Sequence, residues 1–172
     1  MISPLLLIPQ TMIVLGIDPG TAITGYGLVY EENGQGVALA YGAITTPSDL
    51  TLPDRLQLIH RALTELIDQY HPDQSAVEQL FFNKNVRTAL AVGHARGVTL
   101  LALAQANVPI YEYTPLEVKL AVTGHGRADK RQVQQMVTLL LGLNQVPKPD
   151  DVADALAVAL CHLHSAKLTT LG

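Results

Sequence analysis

The chain has 172 residues, 48% of them hydrophobic but only 5% aromatic, and a formal net charge of −4 at pH 7. That length suits one domain with a sizeable core, and the acidic balance argues against a protein that coats nucleic acid through bulk positive charge. The single cysteine, Cys161, rules out an intramolecular disulfide framework and fits a reducing compartment, the cytoplasm.

The first eleven residues carry the apolar run Leu5-Leu6-Leu7-Ile8. They lack a basic start and are broken by Pro4 and Pro9, which argues against a signal peptide or a membrane span. Met12 is a candidate initiator, so residues 1–11 are expected to be a dispensable extension to a single domain over 12–172. Ile13–Asp18, Gly25–Glu31 and Val37–Thr45 are predicted strands, linked by turns carrying Pro19-Gly20 and Asn33-Gly34. Links this short predict an antiparallel meander.

Over 53–70 the apolar residues Leu56, Ile59, Leu63, Leu66 and Ile67 recur at helical spacing. Gln74–Leu80 is a predicted fourth strand, Thr88–Ala106 a long helix rich in alanine and leucine, and Val108–Tyr113 a fifth strand. Thr114-Pro115-Leu116-Glu117 has the form of a capping box with proline at the first helical position, so a short helix starts there. Asp129–Leu141 is another helix. After Pro147-Lys148-Pro149, Asp150 is expected to cap a final helix running from Asp151 to about Ser165. Meander strands followed by helix–strand–helix–strand units predict an α/β fold with a mixed five-stranded sheet, three strands antiparallel and two parallel, and helices on both faces. The first and fourth strands would be parallel neighbours, and the last helix would dock across the mouth at their carboxyl ends.

Chemistry enters with the acids. The run Ile13-Val14-Leu15-Gly16-Ile17 ends on Asp18, Ser75-Ala76-Val77 ends on Glu78, and Asp154 is the only charged residue from Val152 to Leu160, with Asp151 three positions before it. An ionised carboxylate beside so much apolar surface is costly unless a cation compensates it. The topology would put Asp18 and Glu78 side by side, in the crevice where α/β active sites form. Asp151 and Asp154 share a helix face. Each acid has a plain structural alternative: Asp151 complements a helix dipole, Asp18 forms a turn, Glu78 pairs with a base. Four on three segments point to a cage for hard divalent cations, which prefer oxygen ligands.

Basic residues cluster in two places: Lys84 and Arg87 follow Phe81-Phe82, and Lys119, Arg127, Lys130 and Arg131 fall in one stretch with His125. The glycines Gly16, Gly20, Gly25 and Gly27 permit a tight hairpin and close backbone approach to a ligand. They lack the strand–turn–helix context of a nucleotide-binding fingerprint. None of the six histidines pairs at metal-ligand spacing.

The blocks Gly16-Ile17-Asp18-Pro19-Gly20-Thr21 with Thr24-Gly25-Tyr26-Gly27, Val77-Glu78-Gln79-Leu80-Phe81 with Lys84-Asn85, His94-Ala95-Arg96-Gly97-Val98, and Asp151-Val152-Ala153-Asp154-Ala155-Leu156 resemble, in this order, the RuvC-type Holliday-junction resolvases of the ribonuclease H-like superfamily. The resemblance spans about residues 12 to 166. It implies a homodimeric, structure-selective endonuclease that cuts four-way DNA junctions by paired nicks in recombination and repair, with Mg²⁺ or Mn²⁺. Carried over by position, Asp18, Glu78, Asp151 and Asp154 are its catalytic and metal-binding carboxylates. Two cations about 3.5–4 Å apart would clamp the phosphodiester, with Asp18 bridging them. Phe81 matches a position that stacks on a freed base at the junction centre, and Lys119 and Lys130 match positions that hold phosphates. Lys84, Arg87 and Arg127 are further candidates for phosphate contact. A branch-migration motor is the implied partner.

The long helix supports a dimer independently, because Ala89, Gly93 and Gly97 recur every four residues with Leu90, Val98 and Leu101 nearby. Two competitors fit less well: an actin-like sugar kinase needs a second domain, and a silent junction-binding module has no use for four acids facing phosphate. The alternative is a related ribonuclease H-like nuclease acting on RNA or RNA–DNA hybrid, which the carboxylates alone do not exclude; the DNA assignment rests on the blocks around Phe81 and Asp154.

Overall fold

The computed structural model describes residues 11–79 and 86–170, with backbone alone for 86–88 and 167–170. Strands β1 (Val14–Asp18), β2 (Ile23–Glu32) and β3 (Gln35–Thr45) form the expected antiparallel meander. At the β2–β3 turn Asn33 has φ 51° and Gly34 φ 83°, and Glu32 pairs with Gln35. Two successive left-handed residues match the right-handed twist of the strands they join, which is why Asn-Gly works there.

Helix α1 (Leu52–Tyr70) is capped by the Thr51 hydroxyl, which accepts from the Asp54 N–H, and buries Ile59, Leu63 and Ile67. Strand β4 (Gln74–Glu78) returns parallel to β1, Val14 beside Gln74 and Ile17 beside Val77. Next come α2 (Val86–Gln105), β5 (Ile110–Tyr113), α3 (Pro115–Thr123), α4 (Lys130–Leu140) and α5 (Asp150–Thr170). The sheet is mixed and five-stranded with β1 and β4 parallel neighbours, as the sequence predicts; its order is β3-β2-β1-β4-β5, with β5 parallel to β4. The Thr114–Glu117 capping box is present, and Asp129 with Gln132 forms a second at α4.

Most element ends shift by one or two residues from expectation, and three of the shifts have a visible cause. Strand β5 begins two residues late because the Val108 N–H closes α2, donating to the Leu103 carbonyl at 3.0 Å after left-handed Asn107. Helix α5 starts at Asp150 itself, whose carboxylate accepts from Lys148 Nζ at 2.6 Å. It also runs past Ser165, whose hydroxyl donates back to the Cys161 carbonyl at 2.8 Å and so stays within the helix.

Side chains alternate across the sheet. Leu15, Ile17, Leu28 and Val77 pack against α1 and α2, whereas Val14, Val29 and Ala76 pack against α5 and its neighbours. Asp18 and Glu78, one position beyond Ile17 and Val77, therefore point to the α5 side. On that side every residue from Val152 to Leu163 except Asp154 is buried, because α5 lies flat along the sheet with α3 and α4 on its outer side. It does not dock across the mouth. The glycines explain this. A Cβ on Gly16 would overlap the Ala155 carbonyl, and one on Gly25 would overlap the Asp151 carbonyl. The close approach expected for a ligand is thus made by α5. Gly20 does serve the hairpin turn, where a Cβ would meet the Ile23 carbonyl.

Candidate active site

The four acids meet at one end of the α5 side of the sheet. Asp18 ends β1 and pairs with Gly25 on β2, and the main chain of Asp151 sits directly over Gly25. Gly25 therefore sets how near the first turn of α5 comes to Asp18. Asp154, one turn on, shares a crevice of about 200 Å³ with Glu78, Lys119, Lys130, Val118 and Val133.

Charge repulsion is the dominant property of this group. Burial pushes the Asp18 carboxyl up to about 7, and the charges of Asp154, Asp151 and Glu78 push the same way. Glu78 is raised by burial and by Asp154, with Lys119 and Lys130 opposing. Asp154 is raised by burial, against its bond to Lys130. Lys130 Nζ lies 3.1 Å from Asp154 Oδ2 and 3.5 Å from Asp150 Oδ2. Burial lowers its ammonium pKa, but the bond to Asp154 and the two acidic charges outweigh that and raise it. Among the described residues no three His, Cys, Asp or Glu side chains close into a ligating cluster; like charges spread, and Asp154 leans on Lys130 instead. An all-oxygen donor set in which neighbouring acids push Asp18, Glu78 and Asp154 up fits added positive charge from a hard divalent cation.

The other expected residues divide. Lys119 and Lys130 line the crevice. Arg127 is exposed on the α3–α4 loop and is absent from the crevice lining. Phe81 and Lys84 lie outside the described residues, as does the Arg87 side chain, although its backbone sits in the first turn of α2. On α2, Ala95, Thr99, Ala102 and Leu103 are buried, and Val98 packs with them and not with the open face. Leu90 and Leu101 are exposed, and Gly93 and Gly97 have nothing within 4 Å of a built Cβ.

Sequence reasoning missed two residues that brace the site. Thr21, beyond the Asp18 turn, donates its hydroxyl to the Ala91 carbonyl on α2 at 2.6 Å, and its own carbonyl accepts from Thr46 Oγ1 at 2.6 Å. Arg96 donates Nη1 to the Glu78 main-chain oxygen at 2.6 Å and pairs through Nη2 with Glu112. Its signals were its place in the His94–Val98 block and a cation in the middle of an alanine-rich helix. His162 is a satisfied core histidine, with Nδ1 facing the Tyr113 hydroxyl at 2.6 Å and Nε2 facing Gln74 Oε1 at 2.5 Å.

A five-stranded mixed sheet with acids at the ends of its two central parallel strands, joined by acids from the last helix, defines the ribonuclease H-like class. The family described as crossover junction endodeoxyribonuclease RuvC matches residues 14–162. The chain is 59% identical over 160 residues to the crossover junction endodeoxyribonuclease RuvC of Alkaliphilus oremlandii, covering 93% of this chain and 98% of that protein. It is 57% identical over 157 residues to that of Clostridioides difficile, covering 91% and 93%. Thermus thermophilus RuvC, solved in complex with Holliday junction substrate, superposes with a TM-score of 0.87 at 38% identity, covering 92% of this chain and 97% of that one. The chain belongs to the RuvC family of crossover junction endodeoxyribonucleases.

Proposed function

We propose that this chain resolves four-way DNA junctions by paired, symmetric nicks in recombination and repair, with Asp18, Glu78, Asp151 and Asp154 holding two divalent cations, Mg²⁺ or Mn²⁺. The gathering of Asp151, Asp154 and Glu78 near enough to Asp18 for all three charges to raise its carboxyl supports this reading most, since such a group would reject a phosphate unless cations intervened. Bound there, the cations supply Lewis-acid polarisation of the phosphate and lower the pKa of attacking water.

The chain's own residues prepare that chemistry. Asp18 is fixed by the central strand and Glu78 by its parallel neighbour, so neither moves without the sheet. Lys130 holds its ammonium on Asp154 at 3.1 Å; with a cation held by Asp154, that ammonium would be available to a phosphate oxygen. Lys119 on the same wall supplies a second charge. Phe81, Lys84, Arg87 and Arg127 are assigned to the surrounding DNA surface, Phe81 by stacking on an unpaired base.

The open face of α2, with Leu90, Gly93, Gly97 and Leu101, suits an isologous homodimer that sets one active site on each of two opposed strands. A branch-migration motor is the proposed partner, and the cytoplasm the proposed location. No helix among the described residues is long and apolar enough to cross a membrane. Residues 1–11 are proposed to be dispensable.

The test incubates the purified chain with labelled four-way junctions, linear duplex and RNA–DNA hybrid, with Mg²⁺ and with chelator. Paired, metal-dependent nicks confined to the junction are expected. Cutting of the hybrid in preference to the junction would move the substrate to RNA, and cutting in chelator would remove the metal assignment.

A further inference from the structure

Glu78 has to reach the α5 side of the sheet from the last position of β4. A strand end is where pairing gives out, and a shift of one residue would turn this carboxylate to the opposite face. What pins it comes from behind. Val77 pairs with Glu112 and Glu78 with Tyr113, so by alternation the Glu112 side chain points with Val77 toward α2. There Arg96, with only 12% of its side chain exposed, bonds the Glu78 main-chain oxygen through Nη1 and the Glu112 carboxylate through Nη2. Beside this, the Gln79 N–H donates to the Tyr113 carbonyl at 2.7 Å, the last rung between β4 and β5.

We infer that Arg96 is a positioning residue for Glu78: its guanidinium clamps the ends of β4 and β5 from the α2 face and so fixes where the Glu78 carboxylate stands on the other. The inference rests on the metal-carboxylate reading of the site. Arg96 does not line the crevice and bonds the main-chain oxygen of Glu78 rather than its carboxylate, so its influence passes through the strand. A planar fork is needed because the two acceptors belong to different strands. Lysine, with one ammonium, serves either acceptor but does not hold both in register. The same helix takes the Thr21 hydroxyl at the Ala91 carbonyl, 2.6 Å away, so α2 registers the ends of both acid-bearing strands.

The test measures Mn²⁺-induced thermal stabilisation and amide hydrogen exchange at Gln79 in the full chain, for wild type, Arg96→Gln and Arg96→Lys, with junction cleavage against Mg²⁺ alongside. Arg96→Gln should raise the half-saturating Mn²⁺ and Mg²⁺ concentrations about tenfold, as loss of a partner behind a metal ligand does. It should also speed exchange at Gln79, and Arg96→Lys should fall between it and wild type. A Mn²⁺ midpoint and a Gln79 exchange rate unchanged in Arg96→Gln would overturn the inference, even if overall stability fell. If Arg96→Gln does not fold, Arg96→Lys decides alone: an intermediate shift supports the clamp, and no shift overturns it. A wild-type chain that ignores Mn²⁺ would sink the metal reading itself, whereas a responsive wild type with an unshifted variant sinks only the role of Arg96.

Discussion

The two faces of the sheet are built from different materials. Toward α1 and α2 the core is made of large aliphatics, with Leu15, Ile17, Leu28, Ile59, Leu63 and Leu103 all fully buried. Toward α5 it also holds Leu156, Leu160, Val14 and Val29, but small residues stand where the helix meets the central strands. Gly16, Gly25 and Gly27 lie beneath a helix whose buried positions include Ala153, Ala155, Ala157 and Ala159. Large side chains maximise the apolar surface removed from water, at about 25 cal/mol per Å². Small ones forgo part of that and let a helix backbone rest on a strand backbone. The first face provides cohesion, and the second sets the separation of Asp151 and Asp154 from Asp18. Accuracy of approach is obtained where four like charges must stand near one another at one end of the sheet.

The largest test of this contrast removes the charge at its centre. Asp18→Asn should cut junction cleavage by about a thousandfold or more, on the scale seen when a preorganised electrostatic group is lost, while junction binding in chelator stays equal or tightens. Cleavage within a few-fold of wild type would mean that Asp18 serves packing, as residues on the other face do.

The same charge should weigh on stability in chelator. Because the folded Asp18 carboxyl titrates near 7, above its ordinary 3.8, the folded state binds this proton more tightly than the unfolded chain. Its contribution is therefore complete below about pH 4 and is lost as pH rises toward 7, by at most about 4 kcal/mol. Glu78 and Asp154, also raised, act in the same sense. His162, lowered by burial, acts in the opposite sense, with its contribution lost as pH falls through the ordinary histidine range. The diagnostic is thus the gap between Asp18→Asn and wild type, measured by denaturant unfolding. It should widen in favour of the variant from pH 5 to pH 8. A constant gap would show that Asp18 is relieved of both its burial and its repulsion.

Much of this division was legible in the sequence. Pro19-Gly20 and Asn33-Gly34 marked the turns of the meander, and apolar runs ending on Asp18 and Glu78 marked parallel neighbours with acids at one end. The all-round apolar pattern of 152–163 marked a buried helix. It did not show that the helix lies along the sheet, because that depends on Gly16 meeting Ala155 and Gly25 meeting Asp151, contacts between segments more than a hundred residues apart. The glycines were visible, but their partner was not. Arg96 was hidden for a related reason: one acceptor is a main-chain oxygen 18 residues away, and the other a glutamate 16 residues away on a different strand. Val108 looked like strand by composition, yet its N–H was claimed by the end of α2. Local propensity yields to such closing bonds at element ends.

The smallest effects compare the two faces directly, one methyl group at a time. Gly16→Ala adds a methyl where the Ala155 carbonyl and the Ala159 side chain leave no room. Since a backbone cannot turn away as a side chain can, α5 must lift. Overpacking of this kind costs about 1–3 kcal/mol, and the lift carries Asp151 and Asp154 away from Asp18, so cleavage should fall further than the stability loss explains. Ile59→Val removes a methylene on the α1 face, where Ile59 is fully buried. That should cost about 0.5–1.5 kcal/mol and leave the cleavage rate of the folded protein unchanged, because Ile59 has no part in the Arg96 and Thr21 bonds by which this face holds the ends of the acid-bearing strands. Unfolding midpoints and single-turnover cleavage, both measured well below the melting temperature, separate the two variants. If Ile59→Val slowed cleavage as much as Gly16→Ala did, the two faces would share one mechanical role, and the small residues under α5 would have to be explained by packing alone.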